Sequence, residues 1–147
     1  MKERHKAIPA VYVFLVSGGK LLLTRRKNTG YEDGNYMVPS GHVEKAESLT
    51  DAVVRETQEE VGIALDKDDL RLMHVMYRAR HDDTGERADF FFACNHWQGE
   101  PENRELDKCD EVAWYPLDDL PANTVEYLRH AIMQWRLGTI FSEWGWK

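Results

Sequence analysis

Three glutamates at positions 56, 59 and 60, set between Gly41 and Gly62, constrain this chain more than any other feature. The residues around them predict one helix over 48–61, stopped by Gly62, with Val53, Val54, Thr57 and Val61 on its apolar side. At about 100° per residue, the i, i+3, i+4 set Glu56, Glu59 and Glu60 falls on one narrow arc beside that side. Like charges so placed repel by ~0.2–0.5 kcal/mol per pair unless a cation lies among them. A hard divalent ion suits such a cluster, because Mg²⁺ takes carboxylate and carbonyl oxygens and keeps waters for a phosphate-bearing substrate. One helix is thus expected to serve the core with one face and a metal with the next.

The spacing extends beyond the helix. It reads Gly41, five residues, Glu47, seven residues, Arg55-Glu56, Thr57, one residue, Glu59-Glu60, one residue, then Gly62-Ile63. This resembles the Nudix box of MutT-like pyrophosphohydrolases, with nine constrained positions inside 23 residues. Thr57 departs from the pattern, which has an aliphatic residue there; its methyl group can still pack.

The resemblance implies an α/β fold, a Nudix-type α/β/α sandwich with a mixed central sheet. It also implies hydrolysis of a nucleoside diphosphate linked to another group, with Mg²⁺ as cofactor and Mn²⁺ as a substitute. The leading substrate is a nucleoside triphosphate, ordinary or modified, oxidised guanine nucleotides included, giving the monophosphate and pyrophosphate. ADP-ribose, a nucleotide sugar or a dinucleotide is the alternative. A non-catalytic nucleotide-binding module is a third reading, disfavoured because all three clustered glutamates are present. Glu56, Glu59 and Glu60 are the implied metal ligands, joined by the backbone carbonyl of Ser40. Glu56 would also orient the attacking water and Glu59 is a candidate general base. Arg55, grouped with the catalytic residues, would pair with Glu47 and hold the loop against the helix. A further carboxylate is expected from a late loop, Glu105 before Glu111. His42 is expected to be a turn residue, since an oxygen-rich site has no need of imidazole.

Substrate contacts are sought among basic and aromatic residues near the box. Arg26 stands at a strand end, Arg78 and Arg80 alternate along another strand, and Tyr31 lies in a long loop where it can stack on a base or pack. The net charge of −7 excludes a nucleic-acid polymer as main partner but not a nucleotide whose phosphates a metal neutralises.

The rest of the chain reads as strands at 8–17 and 20–25 joined by Gly18-Gly19, a loop at 27–35, and a short strand at 36–38. After the helix come a strand at 70–80, a turn at 82–85, an apolar strand at 88–97, a strand at 109–115 and a second helix at 123–137. The tail 140–146 is rich in aromatics and is expected either to close over the core or to form a subunit interface. A length of 147 residues, 42% hydrophobic, suits one domain over 1–147, as monomer or homodimer. No apolar run approaches 18 residues, and the start Met1-Lys2-Glu3-Arg4-His5-Lys6 is not expected to be a signal peptide. Cys94 and Cys109 lie outside any CxxC spacing and read as free thiols, which fits a cytoplasmic setting without a membrane partner.

Overall fold

The strand β1 (Ile8–Ser17) organises the molecule, which a computed structural model describes over residues 2–147; Met1, the first residue of the N-terminal stretch read above, lies outside it. Successive side chains of a strand point to opposite faces, so an unbroken apolar run must feed two cores. Ala10, Tyr12 and Phe14 enter one, and Val11, Val13 and Leu15 the other. The returning strand β2 (Lys20–Arg26) divides in the same way, with Leu21 and Leu23 in the first core and Leu22 in the second.

Six more strands complete the sheet: β3 (Tyr36–Met37), β4 (Ser40–His42), β5 (Arg71–Arg78), β6 (Arg87–Cys94), β7 (Cys109–Pro116) and β8 (Phe141–Trp144). The order is β3-β2-β1-β6-β5-β8, with β4 paired to β1 and β7 to β2. Pairs β1–β6 and β5–β8 are parallel and the others antiparallel, so the sheet is mixed. β1 changes partner along its length, meeting β4 at Ala10–Tyr12 and β2 only at Val16–Ser17. This exchange sets Ser40–His42 beside the first half of β1. His42 is expected above to be a turn residue, and Ser-Gly-His has little strand propensity; pairing with β1 overrides it.

Helices α1 (Leu49–Val61) and α2 (Glu126–Arg136) cover opposite faces, giving the α/β/α sandwich. Ser48 caps α1, its side chain accepting from the Asp51 N–H, and Gly62 ends it at φ +72°. Thr57 is fully buried, yet its hydroxyl is satisfied by donating to Val53 O at 2.7 Å, which explains how a polar atom sits where an aliphatic is expected. α2 begins three residues after the expected 123. A turn ending at Asn123 and a β-bridge of Thr124 with Tyr36 precede it, because the Tyr36 N–H donates to Asn123 O and the Val125 N–H to Tyr36 O.

The aromatic tail closes on the sheet edge as β8, in parallel with β5. Trp144 packs against the first core, and Trp146 stacks on Tyr77 at 5.5 Å. Cys94 and Cys109 are free. Among the described residues no helix is long and apolar enough to cross a membrane.

Candidate active site

Strand β4 and the acidic side of α1 face each other, and glycine at 41 allows the approach. A Cβ there would run into the Glu56 carboxylate. One residue earlier, the Ser40 N–H donates to Glu60 Oε2 at 2.8 Å, fixing that carboxylate against the strand. Arg55 ties the intervening loop down. Its Nε and one terminal nitrogen grip both oxygens of Glu47 at 2.7 and 2.9 Å, and it also reaches the His42 carbonyl at 3.2 Å. The other terminal nitrogen lies 2.6 Å from Glu56 Oε1 and 3.4 Å from Glu59 Oε2.

Charge is concentrated here against its own repulsion. Burial pushes Glu60 well above the usual carboxylate range, and the neighbouring Glu56 and Glu105 push it further, against the Ser40 N–H. Burial also raises Glu56, opposed by Arg55 and reinforced by Glu59 and Glu105. Glu47 goes the other way, down to about 2, held first by Arg55 and then by the Glu44 N–H.

Glu56, Glu59, Glu60 and Glu105 line one trough of about 360 Å³ together with Ser40, Arg55, Arg26 and Lys108. A larger cavity of about 540 Å³ adjoins it, sharing Arg26, Ser40, Glu44 and Glu56. Its volume falls in the range of ligand pockets, roughly 300–1,000 Å³.

The other residues singled out in the sequence separate clearly. Glu105 stands on the trough, whereas Glu111 is engaged by the hydroxyls of Tyr36, at 3.0 Å, and Tyr115. Arg26 lines both cavities while its Nε donates to Tyr31 O at 2.7 Å. Arg78 is 5% exposed and lies on the wall of the larger cavity, not in the trough. Its Nε pairs with Asp89 Oδ2 at 2.8 Å, and its guanidinium stands 3.9 Å over the Tyr127 ring. Tyr31 also lines that cavity, its ring stacked on His81. Arg80 turns outward to Asp82 O. His42 lines the larger cavity but not the trough. Sequence reading missed Lys108, Asp89, Arg87 and His81. Asp89 was signalled by its place in the apolar run 88–94, where a buried carboxylate requires a partner. His81 carried no signal.

The donor set suits a hard divalent cation. Four carboxylates and the Ser40 backbone are all oxygen donors, Gly41 leaves room beside Glu56, and the raised Glu56 and Glu60 mark negative charge that a cation would relieve. The carboxylates are not drawn into a closed shell: among the described residues no three His, Cys, Asp or Glu groups converge as ligands. Arg55 instead reaches both Glu56 and Glu59.

A model of the NUDIX domain matches residues 6–135. The chain belongs to the Nudix family. Membership places it among the pyrophosphohydrolases that act on phosphoanhydride bonds of nucleotide-linked compounds. Its fold resembles the crystal structure of a MutT NUDIX hydrolase from Burkholderia pseudomallei, with a TM-score of 0.80 and 29% identity, over 88% of this chain and 98% of that one. It is 31% identical over 134 residues to an ADP-ribose pyrophosphatase of Methanocaldococcus jannaschii, covering 88% of this chain and 76% of the relative. With a Caenorhabditis elegans protein named as a nudix hydrolase it shares 31% identity over 97 residues, 63% of this chain but only 24% of that longer relative. The Nudix box of this protein is therefore β4, the loop clamped by Arg55, and α1.

Proposed function

We propose that this Nudix protein hydrolyses a nucleoside triphosphate, ordinary or base-modified, to the monophosphate and pyrophosphate, with Mg²⁺ as cofactor and Mn²⁺ as a substitute. The observation that carries this reading is the carboxylate trough opening directly into one nucleoside-sized cavity, with Arg26 on both. Glu56, Glu59, Glu60, Glu105 and the Ser40 carbonyl would hold the metal. Bound there, a divalent cation neutralises phosphate charge and lowers the pKa of a water.

The chain's own groups supply the rest. Ser40 holds Glu60 still, and Arg55 orients Glu56 and Glu59. Glu59, the most exposed of the three with 54% of its side chain accessible, would take a proton from the attacking water. Arg26 and Lys108 meet phosphate oxygens, and Arg78 and Tyr31 shape the nucleoside cavity. Oxygen from water forms the new bond to phosphorus, the bridging P–O bond breaks, and pyrophosphate leaves with the electron pair.

A second reading, hydrolysis of ADP-ribose to AMP and ribose 5-phosphate, is favoured by the likeness to the Methanocaldococcus protein. Product release from a panel of ordinary and 8-oxo nucleoside triphosphates, ADP-ribose, NADH and diadenosine polyphosphates separates the two. Mg²⁺-dependent pyrophosphate from a triphosphate is expected. Turnover confined to ADP-ribose would replace the substrate, and failure to cut any of the compounds with Mg²⁺ or Mn²⁺ would overturn the activity.

A further inference from the structure

Where β5 ends and β6 begins, two arginines stand directly opposite each other, Arg78 in register with Arg87. Their side chains are 6% and 5% exposed, and both line the nucleoside cavity without reaching the carboxylate trough. Like charges directly opposite on neighbouring strands are destabilising, so each guanidinium needs compensation. Arg78 has it in Asp89, which its Nε meets at 2.8 Å, and in the Tyr127 ring. Arg87 is held differently. Its terminal nitrogens donate to Gly85 O at 2.6 Å and Thr84 Oγ1 at 2.7 Å, both neutral, and the Asp82 carboxylate lies 3.8 Å off, beyond hydrogen-bond reach. Among the described residues the Arg87 Nε–H has no acceptor.

The strand register says which part of a nucleotide comes here. Ser40, on the trough, pairs with Tyr12 of β1, whereas Arg87 pairs with Ile8. Tyr12 and Ile8 are about 13 Å apart at the rise of a strand, so a nucleotide with its phosphates on the trough brings its base to Arg87. Two carboxylates, Asp89 and Asp82, balance the charge of the two arginines, which leaves no net charge to draw a further phosphate. What remains is a surplus of donors. Asp89 is taken by Arg78 and by the Tyr12 hydroxyl at 2.9 Å, and Asp82 Oδ1 by the Thr84 N–H at 2.8 Å and the Thr84 hydroxyl. His42 and His81 also line the cavity, and a neutral imidazole offers one donor and one acceptor, which favours neither kind of base.

We propose that Arg87 is a specificity-determining residue that selects bases with a ring carbonyl (hypoxanthine, guanine or uracil) over adenine and cytosine, which carry an amino group in its place. This rests on the triphosphate reading of the same site. A carbonyl accepts from the free N–H of Arg87. An amino group would turn its own hydrogens toward the guanidinium and leave that donor buried and unpaired.

The test compares kcat/KM for ITP with ATP and for UTP with CTP, each pair exchanging a carbonyl for an amino group on one ring. In the ring class that is cut faster, the wild type is expected to favour the carbonyl compound by about tenfold or more. Arg87→Gln, whose amide sets an acceptor beside a donor, and Arg87→Met, unbranched and apolar for a buried position, are each expected to bring the pair within about threefold by raising KM for the carbonyl compound. A wild type that cuts both members of the pair equally overturns the assignment, as does a preference that persists undiminished in either variant that folds. If the wild type cuts no triphosphate, the activity reading fails instead. Arg87 is then judged by the dissociation constants of ITP and ATP, measured by calorimetry on the same proteins. Tighter ITP binding by the wild type that levels in the variants supports the assignment, and equal or absent binding by the wild type overturns it.

Discussion

Arg55 holds Glu47 by two parallel hydrogen bonds, Nε to Oε2 at 2.7 Å and a terminal nitrogen to Oε1 at 2.9 Å, across eight residues of chain. The same guanidinium touches Glu56, so the clamp on the loop and the orientation of a carboxylate proposed as a metal ligand depend on one planar group. A lysine supplies a point charge and cannot reproduce that fork. Arg55→Lys and Glu47→Ala are both expected to weaken Mg²⁺ activation by roughly 10–100-fold, the usual cost of losing an outer-shell partner. A Mg²⁺ titration of initial rate checks this. A wild-type midpoint in Arg55→Lys would show that the fork is dispensable.

Gly41→Ala tests the closeness of β4 to α1. The added methyl falls on the Glu56 carboxylate, the far end of a flexible side chain, so the backbone can stay while the carboxylate swings away. Activity is expected to drop by ~10–100-fold with little loss of stability. Initial rates beside a thermal melt decide it. A melt lowered as steeply as the rate would mean that the strand, not Glu56, had moved.

Glu60→Gln separates charge from shape. The amide keeps an oxygen for the Ser40 N–H but removes a buried carboxylate facing Glu56 and Glu105. Turnover is expected to fall at least ~100-fold. In EDTA the variant should melt no lower than the wild type, since like-charge repulsion is relieved, and the rise in Tm on adding Mg²⁺ should shrink. An undiminished Mg²⁺-induced rise would remove Glu60 from the ligand set.

Which parts of this were legible beforehand follows from the range of the interactions. The run 8–17 declared a buried strand because its apolar side chains feed two cores within a few residues of each other. The Gly41–Ile63 spacing declared the loop and α1 because the constraints are local to one helix and its approach, whereas β4 exists through its pairing with β1. Pairings at long sequence separation were not legible. The β8–β5 contact joins residues about 66 apart, such as Val75 with Phe141, and nothing in Phe-Ser-Glu-Trp names its partner. The same is true of Tyr31 with His81. Arg78 read as a surface phosphate contact, since the alternation of 78 and 80 does not show that Asp89, eleven residues on, turns back across a hairpin to take its guanidinium.

The tail docks through a histidine, which makes its attachment sensitive to acid. His74 is fully buried, with Nδ1 2.7 Å from Thr139 O and Nε2 2.7 Å from Ser142 Oγ. A carbonyl only accepts, so Nδ1 carries the proton and Nε2 accepts from the serine hydroxyl. Burial lowers the pKa of this imidazole below its ordinary 6.5, and the nearby His130 adds to the effect against the Thr139 carbonyl. The unfolded chain therefore binds the proton more readily than the folded one. Stability from this group is fully present above about pH 6.5 and is lost as the pH falls through the lower native pKa. Tm is expected to decline more between pH 8 and pH 5 in the wild type than in His74→Gln, whose amide can serve Thr139 but does not titrate. His42 and His81 are depressed as well, mainly by burial, and the difference between the two curves cancels their share. Parallel curves would show that protonation of His74 does not govern how β8 is held.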